Sequence, residues 1–391
     1  MNKIKQLTSS IPFMILSALV TTIASIDIYV PCMPEMANFF QTSAYKLQLS
    51  VALGILGGSL VTPFIGPLSD SFGRRKLFVL GHALFSLCLL ISGFARSIDQ
   101  FILLRFCTGI FTAFTNILIF AIIADKYTGS KAVLYYGYTS TTITLTLVCA
   151  PLIGGYVADH FTWYVCFFII GTLSGTVSLL LFLKFPETLL KKQLFSLKQI
   201  ITTYKDILRS HSFMAMALIP SVMIAGMMSF ISCAAFYYIK ELSVSATMYS
   251  FYQAFIMICN ATFSIIAGKS INRLGLDGTI KVGMTMFIAG GVGFLLAAIL
   301  TPQAALNLTL TIALFSSGIG FVFAAITAKA MGVFPENAGA TASMITFLRG
   351  FMITGFVYIA GMVYNGSILR VACLIVTVNV IVMGIYYVMR R

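Results

Sequence analysis

The chain has 391 residues, of which 59% are hydrophobic and only 9% are charged, and its mean hydropathy is +0.99. Soluble domains of average composition carry roughly 25% charged residues, so this composition excludes a soluble globular protein. The formal net charge of +14 then reflects membrane topology and contact with lipid head groups, and it does not indicate a nucleic-acid partner. The eight cysteines occur singly in apolar runs, which favours small core residues over a metal site.

Twelve apolar runs divide the chain, each long enough for a bilayer core of about 30 Å, which needs about 20 residues per helix. Cutting at charged and turn-rich points predicts spans at 11–35, 47–69, 77–95, 100–124, 132–157, 163–184, 212–239, 247–268, 279–300, 306–330, 340–363 and 368–389. The one long polar interval follows the sixth run. We therefore predict an all-α membrane protein with two pseudo-symmetric six-helix bundles, 1–184 and 212–391, joined by a cytoplasmic linker, 185–211.

Lysine and arginine concentrate on one side of these spans. Of the 25 basic residues, four lie in loops on the opposite side and two lie inside spans, which leaves 19 on the side that holds both termini and the linker. Basic residues accumulate on the cytoplasmic side of membrane proteins, so both termini are predicted to be cytoplasmic. The four on the opposite side are Lys46, Arg96, Lys240 and Arg370, and the two inside spans are Arg105 and Arg349.

The first span carries a carboxylate deep in the membrane. Asp27 lies about two thirds of the way across, counted from the predicted cytoplasmic side. Ionisable residues at such depth are costly and mark function, and burial favours the neutral form of a carboxyl group. Asp27 is therefore the leading candidate to carry a proton, with Arg105 of the fourth span as its partner; a fixed structural ion pair is the alternative. Glu35, near the interface, is a weaker proton candidate.

A short charged hinge after the second span recurs in the second half. Gly66–Lys76 and Gly268–Gly275 each follow an apolar run and hold two glycines seven residues apart, and the copies are separated by 202 residues. Asn272 occupies the place of Asp70. Many transporters are built from such internal repeats. The residues predicted to act in the hinge are Gly66, Asp70, Gly73, Arg74 and Arg75, and Arg74 is predicted to reach Asp125 at the end of the fourth span.

The fifth span combines a helix-breaking residue with small residues. Pro151 permits a bend, and Gly154 and Gly155 permit close approach of another helix, which we expect to be the eighth span. Plain packing is one interpretation. We favour packing combined with a rocking hinge.

Arg349 lies nine residues into the eleventh span, and no acidic residue of the second half is expected at that depth. An arginine without a partner that faced a cavity would favour an anionic ligand, because its planar fork matches carboxylate geometry. Snorkelling, or pairing with backbone carbonyls, is the alternative. The other residues predicted to contact substrate, chosen for their mid-span positions in an apolar and aromatic cavity, are Tyr29, Asn116, Tyr138, Met227, Phe230, Tyr252, Gln253 and Asn260.

These features resemble the major facilitator superfamily. The hinge is similar to the superfamily's pattern G-x-L-x-D-x-x-G-R-[RK] between its second and third helices. Six further segments are similar to the twelve-span drug:proton antiporters of the bicyclomycin/chloramphenicol-resistance (Bcr/CflA) type: Asp27–Pro34, Arg105–Gly109, Pro151–Gly155, Trp163–Phe167, Pro186–Leu189 and Ala338–Ser343. The chain departs from that pattern at Thr108, Ala150 and Tyr164.

The resemblance implies a monomeric transporter of the bacterial inner membrane, whose bundles rock around a central site with the proton gradient in place of a cofactor. It also implies that Asp70 contacts the N-terminus of the eleventh helix. A carboxylate at a positive helix end is stabilising, so the hinge is predicted to latch the two halves together while the cytoplasmic side is closed.

Two functions remain open from the sequence. The leading expectation is proton-coupled export of small amphiphilic compounds or drugs by alternating access. The alternative, which Arg349 favours, is a transporter of an anionic metabolite or carboxylate siderophore, in either direction. An enzyme is disfavoured because the sequence holds no ATP-binding loop or nucleophile constellation, and a passive channel has no need of the repeated hinge.

Overall fold

The computed structural model describes residues 2–189 and 196–390 as an all-helical protein without strands in those ranges. Met1, Arg391 and 190–195 of the predicted linker lie outside the described residues. The helices are α1 (Asn2–Asp27), α2 (Met33–Phe39), α3 (Ala44–Phe72), α4 (Arg74–Ser92), α5 (Ile98–Lys126), α6 (Gly129–His160), α7 (Tyr164–Lys184), α8 (Leu197–Arg209), α9 (His211–Phe236), α10 (Ala246–Leu300), α11 (Ala305–Val333), α12 (Ala338–Val363) and α13 (Ile368–Arg390).

The twelve predicted spans are confirmed. In the described part of the chain, 11 helical segments are long and apolar enough to cross a membrane, and α10 contains two of the predicted spans. Gly275 divides α10, because its φ of 69° is a left-handed conformation that interrupts the helix. Gly73, the matching glycine of the first hinge, has φ 101° between α3 and α4. The two copies of the hinge therefore break their helices at the same glycine.

The first span is divided, although the sequence predicted one helix over 11–35. Helix α1 ends at Asp27, a short 3₁₀ turn covers Val30–Cys32, and α2 follows. Pro31 and Pro34 explain the interruption, since neither has an N–H to donate to the preceding turn. As a result, Asp27 lies at the end of a helix inside the membrane.

The predicted linker contains a helix that the sequence did not predict. Helix α8 packs through Ile207, which is buried against Phe213 and Ala217 of α9. Tyr204 of the same helix donates its hydroxyl to the Pro63 carbonyl of α3, at 2.9 Å. Burial raises the pKa of Tyr204, so the phenol keeps its proton at physiological pH. The linker thereby contacts both halves of the chain.

Glycines bring helices of the same half into backbone contact. A Cβ at Gly109 of α5 would overlap the carbonyl of Gly54 in α3. In the second half, a Cβ at Gly290 or Gly318 would overlap the backbone of α11 or α10, respectively. Such close approach is a principal source of helix association in lipid, and it makes each half a tightly packed unit.

Hydrogen bonds join the two halves toward one side of the membrane. We call the side where α1 begins and α13 ends the terminal side, and the opposite side the far side. Toward the far side, Thr354 of α12 donates to the Ala52 carbonyl of α3 at 3.1 Å, and Gln48 of α3 donates to the Ser232 carbonyl of α9 at 3.2 Å. On the terminal side, a Cβ at Gly339 would meet no described atom within 4 Å.

Adding a methyl group at Gly109 tests the backbone contact between α3 and α5. Because the new Cβ overlaps a carbonyl oxygen, the helices must separate, and we expect Gly109→Ala to destabilise the protein by about 1–3 kcal/mol. The melting temperature in detergent should fall. Gly137→Ala is the matched control, since a Cβ there meets nothing within 4 Å, and its melting temperature should stay constant or rise. Equal melting temperatures for the two variants would contradict this packing.

Candidate transport site

Asp27 and Arg105 lie together in the interior of the first half, as predicted. Each side chain is 5% exposed, and the charge of Arg105 acts on the Asp27 carboxylate. The described residues nevertheless place no basic nitrogen within 4.0 Å of that carboxylate. The guanidinium of Arg105 lies over the ring of Tyr29, 4.7 Å from its centroid. The two groups are electrostatically coupled without forming a closed ion pair.

Unsatisfied polar atoms surround this pair. Nε and Nη1 of Arg105 and the hydroxyl of Tyr29 are buried and have no hydrogen-bond partner among the described residues. The same holds for the hydroxyl of Tyr249 and for Oε1 of Gln253, both on α10. Buried polar groups in proteins are normally paired. Unpaired donors and acceptors at one place are therefore available to a proton, water or substrate.

Tyr249 extends the site into the second half. It is 2% exposed, and it interacts electrostatically with Asp27 across the boundary between the halves. Sequence reasoning missed Tyr249, although it lies one helical turn before the predicted Gln253 and shares its face. The candidate site is thus built from both halves of the chain.

Glu35 lies apart from this pair, on α2. It is half-buried; Oε1 accepts a hydrogen bond from the backbone N–H of Trp163 at 3.3 Å, and Oε2 is buried without a partner. Its role as a second proton carrier stays a prediction.

Two of the predicted substrate contacts are engaged in hydrogen bonds between helices. Asn116 accepts from the hydroxyl of Thr22 at 2.9 Å, and Asn260 donates to the Ser316 carbonyl at 2.7 Å. These bonds occupy part of the capacity of each amide. Both residues stay predicted contacts, through the part of the amide that these bonds leave unused.

The aromatic and methionine candidates differ in exposure. Met227 and Phe230 are buried, and Phe230 packs edge-on against Phe294 with ring centroids 5.4 Å apart. Tyr252 is half-buried, whereas Tyr138 is 47% exposed. The role of these four candidates stays a prediction. The structure places Tyr29 against Arg105, and Gln253 lies one helical turn from Tyr249.

Arg349 is half-buried in α12. Its guanidinium lies 5.9 Å from the centroid of the Phe323 ring on α11. The described residues give it no hydrogen bond and no ion pair. It lies in the second half, separate from the Asp27–Arg105 pair.

Ion pairs and a carboxylate cap stabilise the hinge on the terminal side. Arg74 forms ion pairs with Asp70 at 2.7 Å and with Asp125 at 2.9 Å, so the predicted Arg74–Asp125 contact is present. Glu187 caps the first turn of α4, accepting from the N–H groups of Arg74 at 3.0 Å and Arg75 at 3.3 Å. A carboxylate at a helix N-terminus is stabilising. Sequence reasoning noted Glu187 only as part of a motif.

Asp70 faces Arg74 here and makes no contact with α12 among the described residues. A Cβ at Gly66 would meet nothing within 4 Å. The predicted latch, which belongs to a conformation closed on the terminal side, stays a prediction.

A similar acid joins the halves on the far side. Asp159, at the end of α6, accepts from the N–H groups of Ala246 at 3.0 Å and Thr247 at 2.8 Å, in the first turn of α10. Next to it, a Cβ at Gly155 would lie 2.6 Å from the Ala246 carbonyl. The predicted close packing of the fifth span against the eighth is therefore present. The hinge role of Pro151, Gly154 and Gly155 stays a prediction.

The arrangement of twelve spans in two halves with a repeated hinge agrees with a family comparison. The model of the Major Facilitator Superfamily matches residues 15–387, nearly the whole chain. The chain belongs to the Major Facilitator Superfamily. It is therefore a multi-pass membrane transporter that binds small-molecule substrates, and it is not an enzyme.

Two curated relatives are similar over most of their length. The chloramphenicol resistance protein CraA of Acinetobacter baumannii is 25% identical over 301 residues, which make up 75% of this chain and 72% of that protein. The bicyclomycin resistance protein homolog of Haemophilus influenzae is 24% identical over 333 residues, 83% of this chain and 82% of that protein.

Solved structures share the fold at low sequence identity. The nucleoside transporter NupG has a TM-score of 0.79 and 13% identity, covering 97% of this chain and 99% of that chain. A bacterial homolog of the human lysosomal transporter Spinster, in an inward-facing and occupied conformation, has a TM-score of 0.76 and 16% identity, covering 98% and 97%. These similarities support the superfamily fold.

Removing the charge of Asp159 tests its role in closing the far side. Two hydrogen bonds from helix N–H groups to an exposed carboxylate contribute about 1 kcal/mol, so Asp159→Asn should raise the population open on the far side roughly fivefold. Spin labels at Asn38 and Lys240 report this opening, since those side chains lie 3.4 Å apart in the closed arrangement. The long-distance fraction should increase in double electron–electron resonance.

Asp99→Asn is the matched control, because Asp99 is an exposed far-side acid that pairs only within the first half, with Lys46. The exposed cysteines Cys149 and Cys373 are replaced in all variants to prevent stray labelling. An unchanged distance distribution in Asp159→Asn, matching Asp99→Asn, would show that Asp159 does not hold the far side closed.

Proposed function

We propose that this transporter exports small amphiphilic compounds from the bacterial cytoplasm in exchange for protons. The observation that carries the proposal is the buried Asp27 carboxylate, which is coupled to an incompletely paired Arg105 and to Tyr249 of the other half. The names of the relatives, which refer to resistance to chloramphenicol and bicyclomycin, support drug-like cargo.

The chemistry of the site supports proton coupling. Without a proton, Asp27 carries a negative charge that the nearby Arg105 partly offsets. The ionised carboxylate can hold a positively polarised group of the substrate while the free guanidinium donors of Arg105 bind its polar groups. A proton on Asp27 removes the negative charge and occupies that carboxylate. Proton and substrate therefore compete for one pair of side chains, which is what exchange requires. Because Tyr249 belongs to the other half, the protonation state also changes how strongly the halves attract each other.

The acid at each end of the interface supports alternating access. In the present conformation Asp159 binds the start of α10 on the far side, while Asp70 is turned toward Arg74. We place Asp70 at the start of α12 in the opposite conformation, where the same type of contact closes the terminal side. The halves 1–184 and 212–391 then move as units, and the hinge at Pro151, Gly154 and Gly155 accommodates the rotation.

The distribution of basic residues supports the orientation. The terminal side carries Arg74, Arg75 and the basic residues of α8, so we assign it to the cytoplasm and place both termini there. A single chain supplies both halves of the site, and the proposal needs no second copy. Glu35, which lies toward the far side, is assigned a secondary role in proton entry.

Neutralising Asp27 tests the coupling. Asp27→Asn leaves no titratable group at this position, so chloramphenicol transport driven by an imposed pH gradient in proteoliposomes should fall to the rate measured without a gradient. Asp27→Glu keeps a carboxyl group and should retain part of the gradient-driven rate. Asp99→Asn, an exposed acid outside the site, is the control and should transport as the wild type does. Gradient-driven transport at the wild-type rate in Asp27→Asn would exclude Asp27 as the main proton carrier.

Neutralising Asp70 tests the latch. Loss of a partly buried contact between a carboxylate and a helix end costs about 1–2 kcal/mol, so Asp70→Asn should slow chloramphenicol transport roughly fivefold to thirtyfold. Asp206→Asn removes an exposed acid of α8 on the same side and should leave the rate unchanged. If Asp70→Asn transports as fast as Asp206→Asn, the latch does not exist.

A further inference from the structure

We infer that the transport path contains a second polar site, at Arg349, which binds the anionic group of a planar aromatic carboxylate. This inference rests on the proposed function, since it takes the space between the halves to be the substrate path. It assigns the cargo a chemical class that the Asp27 site does not select.

The exposure of α12 shows that Arg349 borders an opening between the halves. Five residues share one face of this helix, and their exposure decreases from the terminal side to the far side. Ala342 is exposed, Thr346 and Arg349 are half-buried, Ile353 is 7% exposed and Val357 is fully buried. A face that becomes gradually enclosed along one helix lines a crevice that narrows toward the far side. Arg349 lies just before the crevice closes.

The neighbours of this face show that it does not point to lipid. On one flank, Gly350 lies directly against Ser59 of α3 in the first half. On the other flank, Leu348 is buried in a cluster with Phe213 of α9. Arg349 lies between these two contacts, so its side chain projects inward, toward Phe323 of α11.

The charge of Arg349 is not compensated by the protein. All eleven acidic residues of the sequence lie within the described ranges. The ion pairs among described residues join Lys46 to Asp99, Arg74 to Asp70 and Asp125, and Lys329 to Asp277. Arg105, in contrast, has Asp27 beside it. An arginine at mid-membrane depth costs about 2.5–3.5 kcal/mol on insertion scales, and a bound anion would supply the missing negative charge.

The depth of Arg349 in the membrane favours a soluble ligand over a lipid head group. It lies eleven residues beyond the start of α12 at Ala338, which is about 16 Å along the helix at about 1.5 Å per residue. Head-group phosphates are held at the membrane surface, roughly half the bilayer core away. A compound that enters the crevice can reach the guanidinium directly.

The surroundings favour a planar aromatic acid. The guanidinium offers its donors in a fork that matches a carboxylate, and no described residue occupies them. The half-buried ring of Phe323, 5.9 Å from the guanidinium carbon, provides an aromatic surface beside the fork. A ligand with a ring and a carboxylate can contact both groups at once.

A matched pair of compounds tests the site. 1-Naphthoate and 1-naphthamide have the same ring system and nearly the same size, but only the first is an anion. In uncharged detergent, the purified wild-type transporter should bind naphthoate about tenfold more tightly than naphthamide, as expected for a hydrogen-bonded charge. Arg349→Gln should lose this preference. Arg349→Lys should keep part of it, because the charge remains and the fork is lost.

Arg96→Gln is the control, since it removes the same charge from an exposed far-side loop and should keep the preference. Equal affinity of the wild type for the two compounds would overturn the inference, and so would an unchanged preference in Arg349→Gln. A preference that disappears when phosphatidylglycerol is added would assign the site to lipid and overturn it too. Gradient-driven chloramphenicol transport by the wild type is measured in parallel, so a failed Arg349 site is distinguishable from a failed proposed function.

Discussion

The free-energy cost of an ionised group in hydrocarbon governs where this protein places its charged residues and how they are paired. The charges of the Arg74 cluster lie near the membrane surface, where Arg74 pairs with Asp70 and Asp125 in the present conformation. Charges at depth are few and incompletely compensated, as at Asp27, Arg105 and Arg349. A buried charge without a full partner costs several kcal/mol, so such residues mark the places where a proton or a ligand completes the electrostatics.

The contacts within each half differ from the contacts between the halves. Within each half, glycines such as Gly109 and Gly290 allow backbone contact, and separating such helices would lose dense packing that lipid cannot replace. Between the halves, close packing at Gly155 and Gly350 is accompanied by hydrogen bonds that Asp159 accepts and that Thr354 and Gln48 donate. These bonds can be exchanged for other polar partners. Rigid halves with an exchangeable interface are what rocking requires.

Features that depend on local pattern could be predicted from the sequence. The lengths of the apolar runs predicted all twelve spans, and the repeated hinge located the two segments in which Gly73 and Gly275 break the helices. Some contacts between distant parts of the chain were also predicted, such as that of Arg74 with Asp125, but others were not. The contact of Asp159 with α10 and the approach of Tyr249 to Asp27 join segments about 90 and 220 residues apart in sequence, and no periodicity encodes such pairs. The helix break after Asp27 was missed but could have been predicted, because Pro31 and Pro34 both interrupt a helix.

The hydrogen bonds of Asp159 to α10 have a consequence for the energetics of the cycle. They lie at an exposed edge of the molecule, where solvent can take over each bond as it breaks. An equivalent contact of Asp70 with α12 on the terminal side would offset most of the free energy lost when the Asp159 bonds break. The conformation open to the terminal side and the conformation open to the far side would then have nearly the same free energy. Transport could then proceed in either direction. If the proposed exchange holds, the concentrations of proton and cargo would decide the direction of net flux.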